Sequence, residues 1–237
     1  MWHLLNFILG AIIGSFLNVV IYRLPREHMT LVKPPRSICP KCGATIAWYD
    51  NVPILSYLLL RGKCRNCGAR ISLRYPLVEV TNALAYLANS FIPNRLISFS
   101  MCLLVSCAIV ISFIDLEFLA IPDVTLVLSW VSAVLIWWTR GFAISNLLGA
   151  VTAMCLLWLL GIAYKGSMGE GDIVLIGAIG LAAGFIESFY VLFASSVSAI
   201  IYAVVKGGGK LDLKQRIPFG TFLAPAGYIV LLINLLM

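Results

Sequence analysis

The sequence predicts an all-α polytopic membrane protein of about eight transmembrane helices, with a small soluble four-cysteine domain inserted after the first helix. Three observations carry that expectation. Of the 237 residues, 61% are hydrophobic and only 11% charged, and the mean hydropathy is +0.99, far more apolar than a soluble domain. Apolar runs recur at 1–22, 76–92, 96–114, 124–139, 142–164, 173–186, 188–205 and 217–237, most of them near the roughly 20 residues that span a bilayer. The one long polar stretch, 23–75, carries four of the seven cysteines in two close pairs.

The first run is expected to be an anchor rather than a cleaved signal. No Lys or Arg precedes it, no small-residue cleavage site follows, and Arg23 and Arg26 come directly after it. The run 173–186 is short and meets the next one across Glu187, so these two are expected to form a tight hairpin or a tilted pair; the division is 1–22 first helix, 23–75 soluble domain, 76–237 membrane domain. With eight spans, the loops 23–75, 115–123, 165–172 and 206–216 share one side. They hold 15 of the 17 Lys and Arg residues, leaving only Arg95 and Arg140 opposite. Positive charge marks the cytoplasmic side, so both termini are expected outside. The net charge of +7 then reflects topology and attraction to anionic lipid. Nucleic acid is not an expected partner.

The soluble stretch reads Cys39-Pro-Lys-Cys42-Gly and Cys64-Arg-Asn-Cys67-Gly, two CxxC pairs with 21 residues between them. Two thiolate pairs, each followed by a glycine that lets the backbone turn its amides toward sulfur, suit a tetrahedral four-cysteine zinc site with no open position, hence a structural one. A reducing cytoplasm argues against disulfides, and no strand-helix pattern supports a redox role. About 50 residues bury little core, so metal is expected to supply folding energy. Cys102, Cys107 and Cys155 lie in apolar runs and are expected to be small buried hydrophobes.

Acids near a membrane need a reason. Asp115, Glu117, Asp123, Glu170 and Asp172 fall on the cytoplasmic side, with Asp212 further along. Asp115 follows nineteen uncharged residues, so its helix can carry it to the membrane surface or just below. Glu117, two positions on, faces away from it. Asp123 follows Pro122 and suits an N-cap, and Asp172 could also serve as one. Gly169 and Gly171 around Glu170 permit close approach of another backbone or carboxylate to Asp172. Two close carboxylates at one depth share a proton, so one can act as base on water while its partner polarises a peptide carbonyl.

Other chemistries are poorly supported. His3 and His28 are the only histidines, and the sequence places no Ser or Cys beside either for nucleophilic catalysis. Gly10–Gly14 and Gly180–Gly184 have GxxxG spacing and suggest helix packing. Gly207-Gly-Gly209 lacks the Lys-Ser/Thr of a phosphate loop. Trp137, Trp138 and Tyr164 suit aromatic anchoring at the interfaces.

Several stretches together resemble the type IV prepilin peptidase family, the bacterial branch of the GxGD intramembrane aspartyl proteases. They are Gly14-Ser-Phe-Leu-Asn-Val-Val-Ile-Tyr-Arg-Leu-Pro25, Arg36-Ser-Ile-Cys-Pro-Lys-Cys42, Tyr49-Asp-Asn-Val-Pro-Ile-Leu-Ser-Tyr57, Arg61-Gly-Lys-Cys-Arg-Asn-Cys67, Ile71-Ser-Leu-Arg-Tyr-Pro-Leu-Val-Glu79, the aspartate segments Ile111-Ser-Phe-Ile-Asp-Leu-Glu-Phe-Leu-Ala-Ile-Pro-Asp123 and Met168-Gly-Glu-Gly-Asp172, and Ile217-Pro-Phe-Gly-Thr-Phe-Leu-Ala-Pro225. The resemblance implies that Asp115 and Asp172 are the catalytic pair, that Cys39, Cys42, Cys64 and Cys67 hold zinc, and that prepilins and pseudopilins are cut after a glycine at the cytoplasmic membrane face. It also implies S-adenosylmethionine-dependent methylation of the new N-terminus, although no glycine-rich cofactor loop stands out. The family pattern commonly has a lysine two positions after the GxGD aspartate, where this chain has Val174.

Two other readings compete. Acids on broken membrane helices also serve transporters and channels, but no internal repeat is visible and a transporter has no need of the cysteine module. A non-enzymatic zinc-bearing scaffold of a pilus or secretion assembly is the other. Neither oligomeric state nor methyl-donor residues follow from the sequence.

Overall fold

The computed structural model describes residues 1–26, 30–32, 36–163, 168–208 and 216–237. His28, Lys33, Tyr164, Lys165, Gly209, Lys210, Asp212 and Lys214, which entered the sequence reading, lie outside the described residues.

Among the described residues the regular structure is helical, with only two isolated β-bridges, Ile38 with Thr45 and Lys63 with Arg70. The long helices are α1 (Trp2–Arg23), α3 (Arg74–Asn89), α4 (Arg95–Phe118), α5 (Asp123–Thr139), α6 (Ile144–Ala163), α7 (Glu170–Ala183), α8 (Phe185–Lys206) and α9 (Gly220–Leu236), with a short α2 (Leu55–Leu59) in the cysteine module. These eight long helices fall on the eight apolar runs. Four of them, α1, α4, α6 and α8, are long and apolar enough to cross a bilayer, while α5 and α9 are apolar but shorter. Their outward faces carry exposed apolar side chains such as Leu148, Val151, Trp158 and Phe193, which soluble proteins rarely cluster.

The chain packs as two compact units, Met1–Phe91 and Ile92–Met237. In the first, α1 and α3 pack backbone to backbone. A Cβ on Gly10 would lie 2.8 Å from Ala83 Cα and Tyr86 Cβ, and one on Gly14 would lie 2.8 Å from Glu79 Cα. The GxxxG pair is therefore a contact surface, and Asn82 Nδ2 donates to Gly10 O at 2.7 Å across it. Packing places α3 with α1, in the same unit as the cysteine module. Gly10→Ala is expected to cost about 1–3 kcal/mol by forcing these helices apart, read as a lower midpoint of thermal unfolding in detergent.

In the second unit, α4 is the most buried of the helices long enough to span a bilayer. Asn94 starts it by accepting from the Leu96 and Ile97 amides at 2.9 and 3.2 Å. Its last turn contains Asp115, and Leu119 closes it in the left-handed region at φ 54°. Ile111, Ile176, Val191 and Leu223 are fully buried where α4, α7, α8 and α9 meet. α7 is buried along nearly its whole length, so its last carbonyls cannot reach water and need protein partners. Asn146 Nδ2 donates to Leu181 O at 2.8 Å and Ala182 O at 3.1 Å. Arg140 donates to Ala183 O at 3.3 Å and to Asn234 Oδ1 at 2.5 Å, and Asn234 in turn donates to Glu187.

Some local expectations change. The break between α7 and α8 falls at Gly184, not at Glu187, with φ 120° and ψ 179°, a region open essentially to glycine alone. Gly180 does pack closely, its would-be Cβ lying 2.8 Å from Ala150 N, so the second GxxxG is half contact and half corner. Asp123 is the first residue of α5 and makes no cap hydrogen bond; its charge sits among first-turn amides instead. Cys102 and Cys107 are buried, but Cys155 is exposed on the surface of α6. His3 does meet a serine: its Nδ1 lies 2.7 Å from Ser90 Oγ. That hydroxyl donates to Leu87 O at 2.6 Å, and the ring stacks on Phe91, which makes the pair a brace at the end of α3.

Candidate active site and metal centre

In the second unit, the last turn of α4 and the first turn of α7 bring Asp115 and Asp172 together at the start of α9. A Cβ on Gly220 would lie 3.2 Å from Asp115 Oδ2 and 3.2 Å from Asp172 Oδ1. The two oxygens therefore cannot be farther apart than twice that distance, and the charge of Asp115 acts on Asp172. Both side chains are buried, at 5% and 9% exposure. Glu117, Asp123 and Glu170 are exposed, so among the acids of this edge only the expected pair turns inward.

Asp115 is held by the α9 N-terminus. The Thr221 amide donates to its Oδ2 at 2.8 Å, and the Thr221 hydroxyl lies 3.2 Å from the same oxygen. That hydroxyl also lies 3.1 Å from Ser112 O, while Ser112 Oγ donates to Thr221 O at 3.3 Å. The Gly220 amide is a further donor to Asp115. Free amides at a helix N-terminus favour a negative group. Asp172 is treated differently: its Oδ1 is buried and has no hydrogen-bond partner among the described residues.

Gly169 and Gly171 make room, though not for the second carboxylate. A Cβ on Gly169 would meet Asp172 Oδ2 at 3.1 Å, and one on Gly171 would meet Ile121 Cβ at 3.1 Å. The glycine between the two acids is Gly220. In the sequence, Gly220 and Thr221 carry no signal beyond the Pro-Phe-Gly-Thr that opens the last apolar run. Val174 is partly buried against the apolar cluster around Ile176, and its carbonyl accepts from Trp130 Nε1 at 3.1 Å. Two residues past Asp172, it faces away from the acids.

In the first unit, the four cysteines converge. The sulfurs of Cys39, Cys42, Cys64 and Cys67 all lie within 4.8 Å of one another, with Cys39 Sγ 4.0 Å from Cys67 Sγ. A zinc ion at about 2.3 Å from each sulfur needs sulfurs about 3.8 Å apart, so the residues fit the ion. Each pair forms the same loop: the Cys39 amide donates to Ala44 O and the Gly43 amide to Cys39 O, as do Cys64 to Ala69 and Gly68 to Cys64. Gly43 and Gly68 take φ of 70° and 69°, the left-handed turn that glycine permits. The Ala44 amide, donating to its sulfur, holds the Cys42 thiol below its ordinary value. Cys67 also receives an amide, from Ala69, yet burial and the neighbouring thiols push it up to about 11. Four thiols around one point do not all ionise without a cation between them. Arg65 grips Asp50 through two bonds of 2.8 and 2.7 Å, and that guanidinium holds the carboxyl below the usual carboxylate range.

The comparisons with known proteins match this arrangement in order. The bacterial peptidase A24 N-terminal domain matches residues 8–92, and the type IV leader peptidase family matches residues 102–204. Over 92% of its length the chain is 37% identical to a type 4 prepilin-like proteins leader peptide-processing enzyme of Escherichia coli, covering 89% of that protein. The chain belongs to the type IV leader peptidase family. Other relatives in the type IV leader peptidase group are the prepilin leader peptidase/N-methyltransferases of Neisseria gonorrhoeae and Burkholderia pseudomallei. They are 36% and 34% identical over 96% and 93% of this chain, covering 89% and 82% of their own lengths. No solved structure matches the chain. The matched family segments end at 204, so Gly220 and Thr221 lie outside them.

Proposed function

We propose that this protein cleaves the leader of prepilins and pseudopilins after a glycine at the cytoplasmic membrane face, through Asp115 and Asp172, and then methylates the new N-terminus. The observation that carries the reading is the meeting of two buried aspartates from α4 and α7 at Gly220, in a chain of this peptidase family.

Two carboxylates this close share one proton. Three donors converge on Asp115, which suits it to be the carboxylate that takes a proton from water. Asp172, with Oδ1 unpartnered, is suited to carry the shared proton and give it to the scissile carbonyl oxygen. Water oxygen then bonds to the carbonyl carbon. The C–N bond breaks as the leaving nitrogen takes a proton from the pair. The expected sidedness, with both termini outside and the cysteine module inside, follows from the 15 to 2 distribution of positive charge.

Cys39, Cys42, Cys64 and Cys67 would hold the zinc, whose contribution is to close the fold of the module. S-adenosylmethionine, when bound, would supply a methyl activated as a sulfonium, which the new terminal amine can take in exchange for a proton lost to water, with a neutral thioether as the leaving group. The test is mass spectrometry of a candidate prepilin after reaction with the purified enzyme. Loss of the leader together with a gain of one methyl is expected, and an uncut substrate overturns the reading.

Thr221 is expected to position Asp115. Thr221→Val keeps the amide and the shape but removes the hydroxyl, and a net hydrogen bond to a charged group is worth about 1.5–3 kcal/mol. Cleavage should slow by roughly tenfold to a hundredfold in kcat with KM held, and Thr221→Ser should recover most of the rate.

A further inference from the structure

Along α5 the second unit is concave. A groove of about 440 Å3 follows that helix from Leu126 to Leu135, with Val174 of α7 in its lining. Those nine positions of α5 cover about 14 Å, or roughly two and a half turns of a helix laid alongside. Val127, Val131 and Val134 are four and three positions apart and so share one face of α5, at 61%, 46% and 45% exposure. Trp130 lies deeper. Its Nε1 donates to Val174 O at 3.1 Å, and a Cβ on Gly177 would lie 3.0 Å from its Cζ2, so the indole lies across α7 where a glycine makes room for it. The N–H of the ring is satisfied by that carbonyl, which leaves an apolar surface facing outward.

The groove reaches the aspartates through one residue. Gly171 and Val174, three positions apart, share a face of α7. Ile121 covers the Gly171 end of that face: a Cβ on Gly171 would lie 3.1 Å from Ile121 Cβ, and a Cβ on Gly220, between Asp115 and Asp172, would lie 2.8 Å from Ile121 Cδ1. Ile121 and Val174 both pack against the apolar cluster that contains Leu126. An apolar surface therefore leads from the groove across Ile121 to the acids. Two exposed acids stand at the same end, Asp123 as the first residue of α5 and Glu170 as the first residue of α7.

Lipid tails cover most outward faces of a membrane protein, but this surface suits a helix better. Inside a bilayer, helices associate by close packing of their shapes rather than by hydrophobicity. Valine on a helix keeps essentially one rotamer, so the groove is stiff before anything docks. A helix arrives already ordered, whereas an acyl chain gives up conformational freedom to lie in a fixed channel. Charge agrees with this choice. A membrane helix whose N-terminal flank stays in the cytoplasm carries Lys or Arg ahead of it, and Asp123 and Glu170 offer acids at that end. We propose that the groove receives the apolar helix of the substrate, parallel to α5, with its cationic flank near Asp123 and Glu170 and the bond between the two carried over Ile121 to Asp115 and Asp172. The proposal rests on the peptidase reading above and gives that site its docking surface.

The test is site-specific photocrosslinking of the full-length enzyme in lipid nanodiscs with a full-length prepilin, in an Asp115→Asn background that keeps the substrate uncut. p-Benzoylphenylalanine replaces Val127, Val131 or Val134 in turn, and for comparison Val151 on α6 or Phe193 on α8, which are also exposed. Pilin adducts are expected from the three α5 positions and only at background from the other two. The labelled pilin residues should move about seven positions towards its C-terminus between Val127 and Val134, as a parallel helix requires. Adducts to lipid alone, equal pilin labelling from Val151 and Phe193, or the reverse order overturn the groove, while cleavage by the wild type leaves the peptidase reading standing. A wild type that cuts no prepilin overturns that reading and the proposal with it. Kinetics supply a second readout: Val131→Trp fills the groove and is expected to raise KM about tenfold with kcat changed less than about twofold, the mark of lost substrate binding. Val151→Trp should leave both within about twofold of the wild type. A KM unchanged by Val131→Trp overturns the proposal.

Discussion

Asp115→Asn and Asp172→Asn, each purified folded, are expected to cut a prepilin about 10³-fold more slowly than the wild type. An amide can neither take a proton from water nor share one across the pair, and asparagine keeps the volume, so the loss reports chemistry rather than packing. The double variant should be about as slow as either single one, because the two carboxyls act as one unit. Gly220→Ala probes the geometry with both acids intact. The added methyl would lie 3.2 Å from an oxygen of each, closer than ordinary contact, and would wedge between them. Cleavage is expected to fall with Kd for the substrate little changed. Wild-type rates in both asparagine variants would remove the aspartyl mechanism.

The second large effect is expected at the cysteines. Between Ile21 and Val78 the described residues bury one apolar side chain, that of Cys39. Such a segment has almost no hydrophobic core to hold it. Structural zinc in small finger domains supplies an apparent 10–16 kcal/mol or so, which exceeds anything else available to this module. Cys39→Ser with Cys64→Ser should abolish zinc binding, from about one ion per chain to none. The module around residues 36–72 should become open to limited proteolysis, while α4–α9 keep their helical signal. Metal analysis finding no zinc in freshly prepared, reduced wild type would contradict this account.

What the sequence revealed depended on whether a signal was local. The helices were legible because the bilayer imposes a length and a composition on each run separately, and Gly10 with Gly14 announced a contact by spacing alone. The four cysteines were equally plain, since CxxC followed by glycine is a complete local description of the loop that Gly43 and Gly68 adopt. Asp115 and Asp172 stood out as acids in apolar surroundings. Their shared support did not, because Thr221 reaches Asp115 from 106 residues away and nothing near either one mentions the other. Ile121 and Trp130 were passed over for the same reason: each looks like ordinary apolar filling, and only the folded second unit joins them into one surface that leads to the acids. The end of α7 was misjudged because Glu187 looked like the break, whereas Arg140 and Asn146 allow the helix to stop earlier by taking up its last carbonyls.

That stop also sets a depth. Ala183 lies eleven positions past Asp172, about 17 Å at 1.5 Å per residue, little more than half of a hydrocarbon layer of about 30 Å. With its far end clasped by Arg140 and Asn146, α7 works as a ruler that holds Asp172 at a set distance from that clasp. On the proposed reading, a peptide bond becomes a target by the level to which its own helix carries it, as much as by its neighbours in sequence. The same residues free in water present a bond at no level at all.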